Sequence, residues 1–363
     1  MAENLGTEPQ RLRDPATGLH LGKQTSGPFS SGLRSQDSPG WGGWIAGFDA
    51  GQTHTTCRLA AADGTTVAEG QGPGVCHLAA EGGARRFQAA LRLSLADARS
   101  RLSPPGQEAP LHAAAVGASG IEQGSTVQAE GLALAAAALG LAEPQLTVTG
   151  DERTALRGAF PDGAGIVVIS GTGTIAVGRD GRDLHQGGRE HRCAGWGWLL
   201  DGAGSAMDIG RDGLALSLQM ADGRRCRGPL LEALWQALAL NPGDPQAPQT
   251  IKALVVRPEF GPAGFARLAP AVAEVAGSGD REAQVILRRH GEALASSVAG
   301  VARVLGLATP PVAALGGAIT HLEGLRQAFD ESLNQQLPGA QLQEPAGDAC
   351  SGALAMAREL VGE

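Results

Sequence analysis

Residues 44–56 read Trp44-Ile45-Ala46-Gly47-Phe48-Asp49-Ala50-Gly51-Gln52-Thr53-His54-Thr55-Thr56. The first six alternate as a strand does. Cys57-Arg58-Leu59-Ala60-Ala61-Ala62 reads as a second strand, Asp63-Gly64 as a turn and Thr65-Thr66-Val67-Ala68-Glu69 as a third strand, an antiparallel start. Between the first two strands lies Asp49 to Thr56. A turn that cradles phosphate needs glycine where the backbone comes close, hydroxyls and bare N–H groups to donate, and a carboxylate for the escorting metal. Asp49, Gly51, Thr53 and Thr55 supply those parts, with Asp49 the metal candidate. Taken alone, an ordinary hairpin turn would look the same.

Working outward, the periodicity predicts a helix over 82–101, a strand over 113–117, a helix over 125–139, a strand over 146–148 and a helix over 152–160. Residues 131–139, apolar and alanine-rich, read as a buried helix. A second strand set opens at 165–170, with 174–178 pairing as a hairpin. Residues 204–306 are mostly helical, followed by a strand at 312–315 and helices at 321–336 and 348–361. The recurrence of the opening block after Gly165 predicts two α/β domains facing each other across a cleft, where ligands of such sheets sit. Expected boundaries are 44–162 and 163–346, with 347–363 a terminal helix returning towards the first domain. Residues 1–40, rich in Gly, Ser, Pro and Gln, read as a disordered tail.

The second half carries its own glycine turns. Ser170-Gly171-Thr172-Gly173-Thr174 stands between two predicted strands and offers a second nest of hydroxyls and amides. Leu315-Gly316-Gly317-Ala318-Ile319 runs from a strand into paired glycines before a helix, where a flat ring could lie on the backbone. Each is weak alone. Two phosphate-type turns, each opening a β-block in its own half, predict a triphosphate held from both sides.

Composition removes several classes. The net charge of −8 comes without a basic stripe, which argues against nucleic acid as a partner. No run of 18 apolar residues occurs, so no membrane-spanning helix is expected. The five cysteines, Cys57, Cys76, Cys193, Cys226 and Cys350, form no CxxC pair and read as reduced thiols. His191 and Cys193 lack a second pair for zinc. No apolar signal segment stands at the N-terminus, so the expected location is the cytoplasm.

With three turns in order, residues 44–361 resemble the actin/hexokinase/Hsp70 ATPase superfold, with its phosphate 1, phosphate 2 and adenosine segments. The resemblance implies two ribonuclease H-like α/β domains around a central nucleotide cleft. Further stretches resemble the N-acetylglucosamine kinases, within the 2-hydroxyacyl-CoA dehydratase activator/benzoyl-CoA reductase ATPase group. They are Gly72-Pro73-Gly74-Val75-Cys76-His77-Leu78, Val116-Gly117-Ala118-Ser119-Gly120, Thr149-Gly150-Asp151-Glu152-Arg153-Thr154-Ala155-Leu156, Cys193-Ala194-Gly195-Trp196-Gly197-Trp198 running on to Ser205, and Gly347-Asp348-Ala349-Cys350-Ser351-Gly352. Gly-Trp-Gly followed by Gly-Ser is the most specific of them.

That resemblance implies an ATP-dependent sugar kinase using Mg2+, most simply one that phosphorylates N-acetylglucosamine at its 6-hydroxyl. Its implied partners are a small sugar and ATP, with a homodimer allowed. Asp151 would be the catalytic base. Cys76, His77, Ser119, Gly120, Gly195, Trp196, Gly197 and Asp201 would bind sugar, and Gly171, Thr172, Gly173, Thr174, Gly316 and Gly317 would bind nucleotide. Asp151 also has a case from its own place: a carboxylate at a strand end, opening a helix, can orient a hydroxyl and take its proton. The plain alternative is a helix N-cap.

Two departures stand out. Cys76 replaces the family's Asn before His77, and Asp201-Gly202-Ala203-Gly204-Ser205 replaces its Gly-Asp-Glu-Gly-Ser. Trp196 and Trp198 could each pack on an apolar sugar face or close the core, and Trp198 reads as core. The histidines at 54, 112, 185, 290 and 321 have no companions that imply chemistry. Two other readings stay open: an activator of a 2-hydroxyacyl-CoA dehydratase holding an iron–sulfur cluster, for which Cys193 and Cys226 could be nominated, and a non-catalytic sugar or nucleotide sensor.

Overall fold

The computed structural model of the chain describes residues 42–182 and 188–361, so the expectations for residues 1–40 and for His185 lie outside it. The described residues belong to one compact unit, Ser38–Glu363. Its first sheet begins with β1 (Trp44–Ala50), β2 (His54–Ala60) and β3 (Thr66–Pro73), each antiparallel to the one before. α1 (Gly83–Ser100) and the short α2 (Pro104–Glu108) lead to β4 (Leu111–Ala118), parallel to β1. α3 (Thr126–Leu139) leads to β5 (Leu146–Gly150), parallel to β4. The order is β3-β2-β1-β4-β5.

After α4 (Asp151–Ala159) the pattern repeats. β6 (Ala164–Ser170), β7 (Thr174–Asp180) and β8 (Glu190–Cys193) are antiparallel. Six helices follow: α5 (Ala206–Ala221), α6 (Pro229–Ala237), α7 (Ala247–Val255), α8 (Gly261–Ala266), α9 (Ala269–Gly277) and α10 (Arg281–Leu305). β9 (Pro311–Leu315) then lies parallel to β6. α11 (Gly317–His321) and α12 (Glu323–Gln336) precede β10 (Gln341–Leu342), parallel to β9. The order β10-β9-β6-β7-β8 reproduces the first sheet, so the α/β duplication read from the sequence is the architecture itself.

Each sheet has its own apolar core. Phe48, Leu59, Phe87, Leu91 and Val116 fill the first. Ile166, Val168, Ile209, Leu294, Val298 and Phe329 fill the second. Burial of such side chains contributes about 1.5–3 kcal/mol each relative to exposure. Two helices exchange sides. α4 follows the first sheet, but its Leu156 and the adjoining Phe160 pack on Val167, Val177 and Ala313 of the second. α13 (Ala349–Glu359) follows the second sheet, but Leu354 and Ala357 pack on Ile45, Ala60 and Ala113 of the first. They cross at Gly158 and Gly352, where a methyl on Gly352 would overlap the Thr154 carbonyl. No side chain fits between two backbones that close.

Several expectations need correction. α3 is a helix, but only Gly131 and Ala135 are buried, because small alanines give a long helix little apolar area to hide. The helix expected over 321–336 is α12, which starts at Glu323, and the short α11 before it was not expected. β8, β10 and α2 were not foreseen. β8 is four half-buried residues that become a strand by pairing with β7.

Candidate active site

The parallel strands β1, β4 and β5 end side by side, with Asp49 opposite Gly117 and Ala118 opposite Gly150. Asp49, Ser119 and Asp151 therefore leave the sheet at one edge, the carboxyl edge at which open α/β sheets take ligands. Asp151 is the first helical residue of α4. Gly150 holds the cap position with no side-chain cap bond, so the N-cap reading of Asp151 does not apply. Burial raises its pKa to about 7, the charges of Glu152 and Asp49 push the same way, and the amides of the first turn of α4 oppose them. Asp49 is also raised, by burial and Asp348, against the lowering pull of His54. Asp348 itself is held far below the usual carboxylate range by Arg58, which also pairs with Glu69.

The two phosphate-type turns differ. In the first, Thr55 is fully buried and its hydroxyl donates 2.8 Å to the Pro73 carbonyl. Thr53 Oγ1 lies 3.0 Å from His54 Nδ1, and the Gly51 amide donates to the His54 carbonyl. Thr55 thus ties β2 to the end of β3. In the second, Gly171 and Gly173 have open space where a Cβ would stand, Thr172 is exposed, and the Gly171 amide donates 2.9 Å to the Gly173 carbonyl. Ser170 Oγ donates 2.6 Å to the Gly204 carbonyl, and Ala206, the first residue of α5, donates its amide to the Gly171 carbonyl. Gly316 has φ 99° and lies against the Ser170 backbone, where a Cβ would overlap. The structure therefore brings the Ser170–Thr174 turn and the Gly316-Gly317 step together.

The sugar-type segments meet on the first sheet's side. The 72–76 stretch runs against the first turn: Val75 donates its amide 2.9 Å to the Gly51 carbonyl, and Gly74 has no room for a Cβ beside Gln52. The His77 ring stands 3.2 Å from where a Gly120 Cβ would be. Its Nδ1 accepts from the Ala79 amide, which in the neutral ring leaves Nε2 as the donor. Ser119 donates its amide to the Ala50 carbonyl, and Gln52 Nε2 lies 3.5 Å from its hydroxyl.

The sequence reading missed the connection to β8. Arg192 pairs with Glu122 at 3.2 Å, and its guanidinium lies 4.7 Å from the Trp196 ring centre. Arg153 of α4 pairs with Glu190. Glu152 is buried over Gly150 and raised by burial, with Arg153 and Arg192 lowering it and Glu122 raising it. Glu122 lies two residues beyond Gly120, the one signal that could have marked it. Trp198 is 44% exposed, with Leu199 and Leu200 exposed beside it, so the core reading of Trp198 is wrong: residues 194–197 include three left-handed backbones, at Ala194, Gly195 and Gly197, which turn the loop outward. Trp196, 61% exposed, carries Arg192 on its ring instead of closing a core. Among the described residues, no hydrogen bond or ion pair joins Asp201 to the Cys76-His77 or Ser119-Gly120 segments; its amide donates to the Gly197 carbonyl. Cys193 lies on β8 and Cys226 between α5 and α6, and no described contact joins them. A large surface cavity of about 970 Å³ lies elsewhere, between α9, α10 and α12, and touches none of these residues.

The profile of the BadF/BadG/BcrA/BcrD ATPase family matches residues 46–357. The chain belongs to that family. The chain is 30% identical to a structurally characterised protein of Chromobacterium violaceum assigned as an N-acetylglucosamine kinase, with a TM-score of 0.67 over 86% of this chain and 98% of the other. It is 29% identical over 216 residues to the N-acetylmuramic acid/N-acetylglucosamine kinase of Clostridium acetobutylicum, an alignment covering 59% of this chain and 67% of the relative. It is 28% identical over 204 residues to the N-acetyl-D-glucosamine kinase of Dictyostelium discoideum, 53% of this chain and 59% of the relative. The family's fold extends further, to a ROK glucokinase of Streptomyces griseus at 16% identity and a TM-score of 0.50, covering 88% of this chain and 99% of the other. Among the described residues, no helix is long and apolar enough to cross a membrane.

Proposed function

We propose that this chain is an ATP-dependent sugar kinase that transfers the γ-phosphoryl group of ATP to the 6-hydroxyl of N-acetylglucosamine. The observation that carries the reading is Asp151: a carboxylate desolvated by burial on the first helical residue of α4, at the shared edge of β4 and β5, with a pKa near 7. A base works best with a pKa near the operating pH, and a positioned one contributes about 10²–10⁴-fold. In this reading Asp151 orients the sugar hydroxyl and takes its proton as the oxygen attacks phosphorus. The relatives' names support an amino sugar as acceptor.

Residues 44–162 and 163–346 act as two lobes in this account, with 347–363 returning to the first. The first lobe holds the sugar through the Cys76-His77 and Ser119-Gly120 segments, while the second offers the open Gly171–Thr174 turn to phosphate oxygens and the Gly316-Gly317 step to the adenosine. Arg192 and Trp196 close the sugar side from β8. The donor set fits a magnesium ion escorted by phosphates rather than caged by protein. Asp49 is a hard oxygen donor in a crowd of carboxylates, and no group of three or more His, Cys, Asp or Glu among the described residues could hold a metal alone. Magnesium bound with ATP neutralises charge on the β- and γ-phosphate oxygens. A cytoplasmic setting, where ATP is available, goes with this chemistry.

The test is ADP release over N-acetylglucosamine, N-acetylmuramic acid, glucosamine, N-acetylmannosamine and glucose. N-acetylglucosamine is expected to give the highest kcat/KM. Turnover with none of the five would refute the kinase reading, and a preference for an unacetylated sugar would refute the acceptor.

A further inference from the structure

We infer that His290, inside the second half and without a companion in the sequence, is a positioning residue for the nucleotide, acting through Gly204 on the Ser170–Thr174 turn. The inference rests on the proposed assignment of that turn to phosphate. His290 lies in α10 and is 2% exposed. Its Nδ1 is 2.9 Å from the Gly204 amide nitrogen and its Nε2 is 3.0 Å from Asp212 Oδ2. An amide can only donate, so Nδ1 must accept, and the proton sits on Nε2, facing the Asp212 carboxylate. The neutral ring is thereby fixed in one tautomer by both neighbours.

Gly204 passes the constraint on. Its carbonyl accepts the Ser170 hydroxyl at 2.6 Å, and its φ of 94°, with Leu294 packed where a Cβ would be, bars another residue there. The Ser170 backbone in turn bears on Gly316. Three contacts therefore lead from a buried imidazole to both glycine steps assigned to ATP. The surroundings hold the ring neutral: burial pushes its pKa down to about 4, Arg289 and Arg211 act in the same sense, and Asp208 opposes them. Asp212 is also bound by Arg289 and approached by Arg211. Protonating Nδ1 would set two donors against each other at Gly204.

His290→Asn and His290→Gln separate the two ends of the ring. The Asn amide oxygen stands where Nδ1 stands and keeps an acceptor for Gly204. The Gln amide nitrogen reaches the place of Nε2 and keeps a donor for Asp212, but leaves Gly204 without a partner. Loss of one such bond is expected to raise KM for ATP by about 3–10-fold in His290→Gln, with KM for the sugar unchanged, and to leave His290→Asn within about twofold of wild type. Equal KM values for ATP in the two variants, or a greater rise in His290→Asn, would overturn the inference, even if both melt at a lower temperature. Thr172→Val serves as the reference. If it raises KM for ATP while neither His290 variant does, the phosphate assignment stands and only the role of His290 falls. If Thr172→Val is also without effect, both fall together.

Discussion

The Asp49–Thr56 turn and the Ser170–Thr174 turn look alike as sequence, both Gly/Thr loops between antiparallel strands, yet they are built differently. The first has committed its polar groups: Thr55 to the Pro73 carbonyl, Thr53 to His54, and the Gly51 amide and carbonyl to His54 and Val75. Its Gln52–His54 tip is exposed, and the half-buried Asp49 carboxylate stands beside it. The second leaves Thr172 exposed and both glycines open on the side a Cβ would occupy. In the proposed function this contrast divides the labour, one turn presenting negative charge for a cation and the other presenting donors for phosphate.

Asp49→Ala is the severest test of that division. It should lower kcat/KM for ATP on the order of 10²-fold and raise the magnesium concentration needed for half-maximal rate. A variant that still responds to magnesium as wild type does would break the contrast. Thr172→Val and Thr55→Val sharpen it. Thr172→Val should raise KM for ATP about 3–10-fold at an unchanged melting temperature. Thr55→Val should instead cost on the order of 1 kcal/mol of stability, because the Pro73 carbonyl loses its donor, while KM for ATP moves less than in Thr172→Val. Reversed behaviour of the pair would assign the phosphate to the wrong turn. The smallest effect belongs to the edge that joins the halves. Arg192→Ala should weaken sugar affinity by about threefold and leave ATP untouched, as expected for one charged contact stacked on an exposed ring. Steady-state kinetics with each substrate varied in turn reads all of these.

The sequence carried the strand–turn–strand grammar because glycine, threonine and aspartate announce turns locally, and Asp151 was legible because a carboxylate between Thr149-Gly150 and a helix is conspicuous. What escaped it is tertiary. Glu190-His191-Arg192-Cys193 has no alternation and is a strand only because β7 offers it a ladder. Trp198 carries the side chain of a core residue, but the left-handed residues before it decide its direction. His290 sits eighty-six residues from the amide it binds, beyond any local pattern. Thr55 has the right chemistry for a phosphate and the wrong neighbour.

If Asp151 is a base with a pKa near 7, the kinetics of Asp151→Asn beside the wild-type pH profile will show it. With a folded pKa raised above 3.8, the carboxylate is protonated in acid, so wild-type kcat/KM should rise with pH and level off above about 7. The same shift means that the charge costs stability above pH 7, so Asp151→Asn should melt higher than wild type at pH 8 and lose that advantage as the pH falls towards 4. Asp151→Asn is expected to turn over ~10²–10⁴-fold more slowly, with nucleotide binding retained and the acid limb of the profile gone. A variant that turns over within tenfold of wild type, with its acid limb intact, would contradict it.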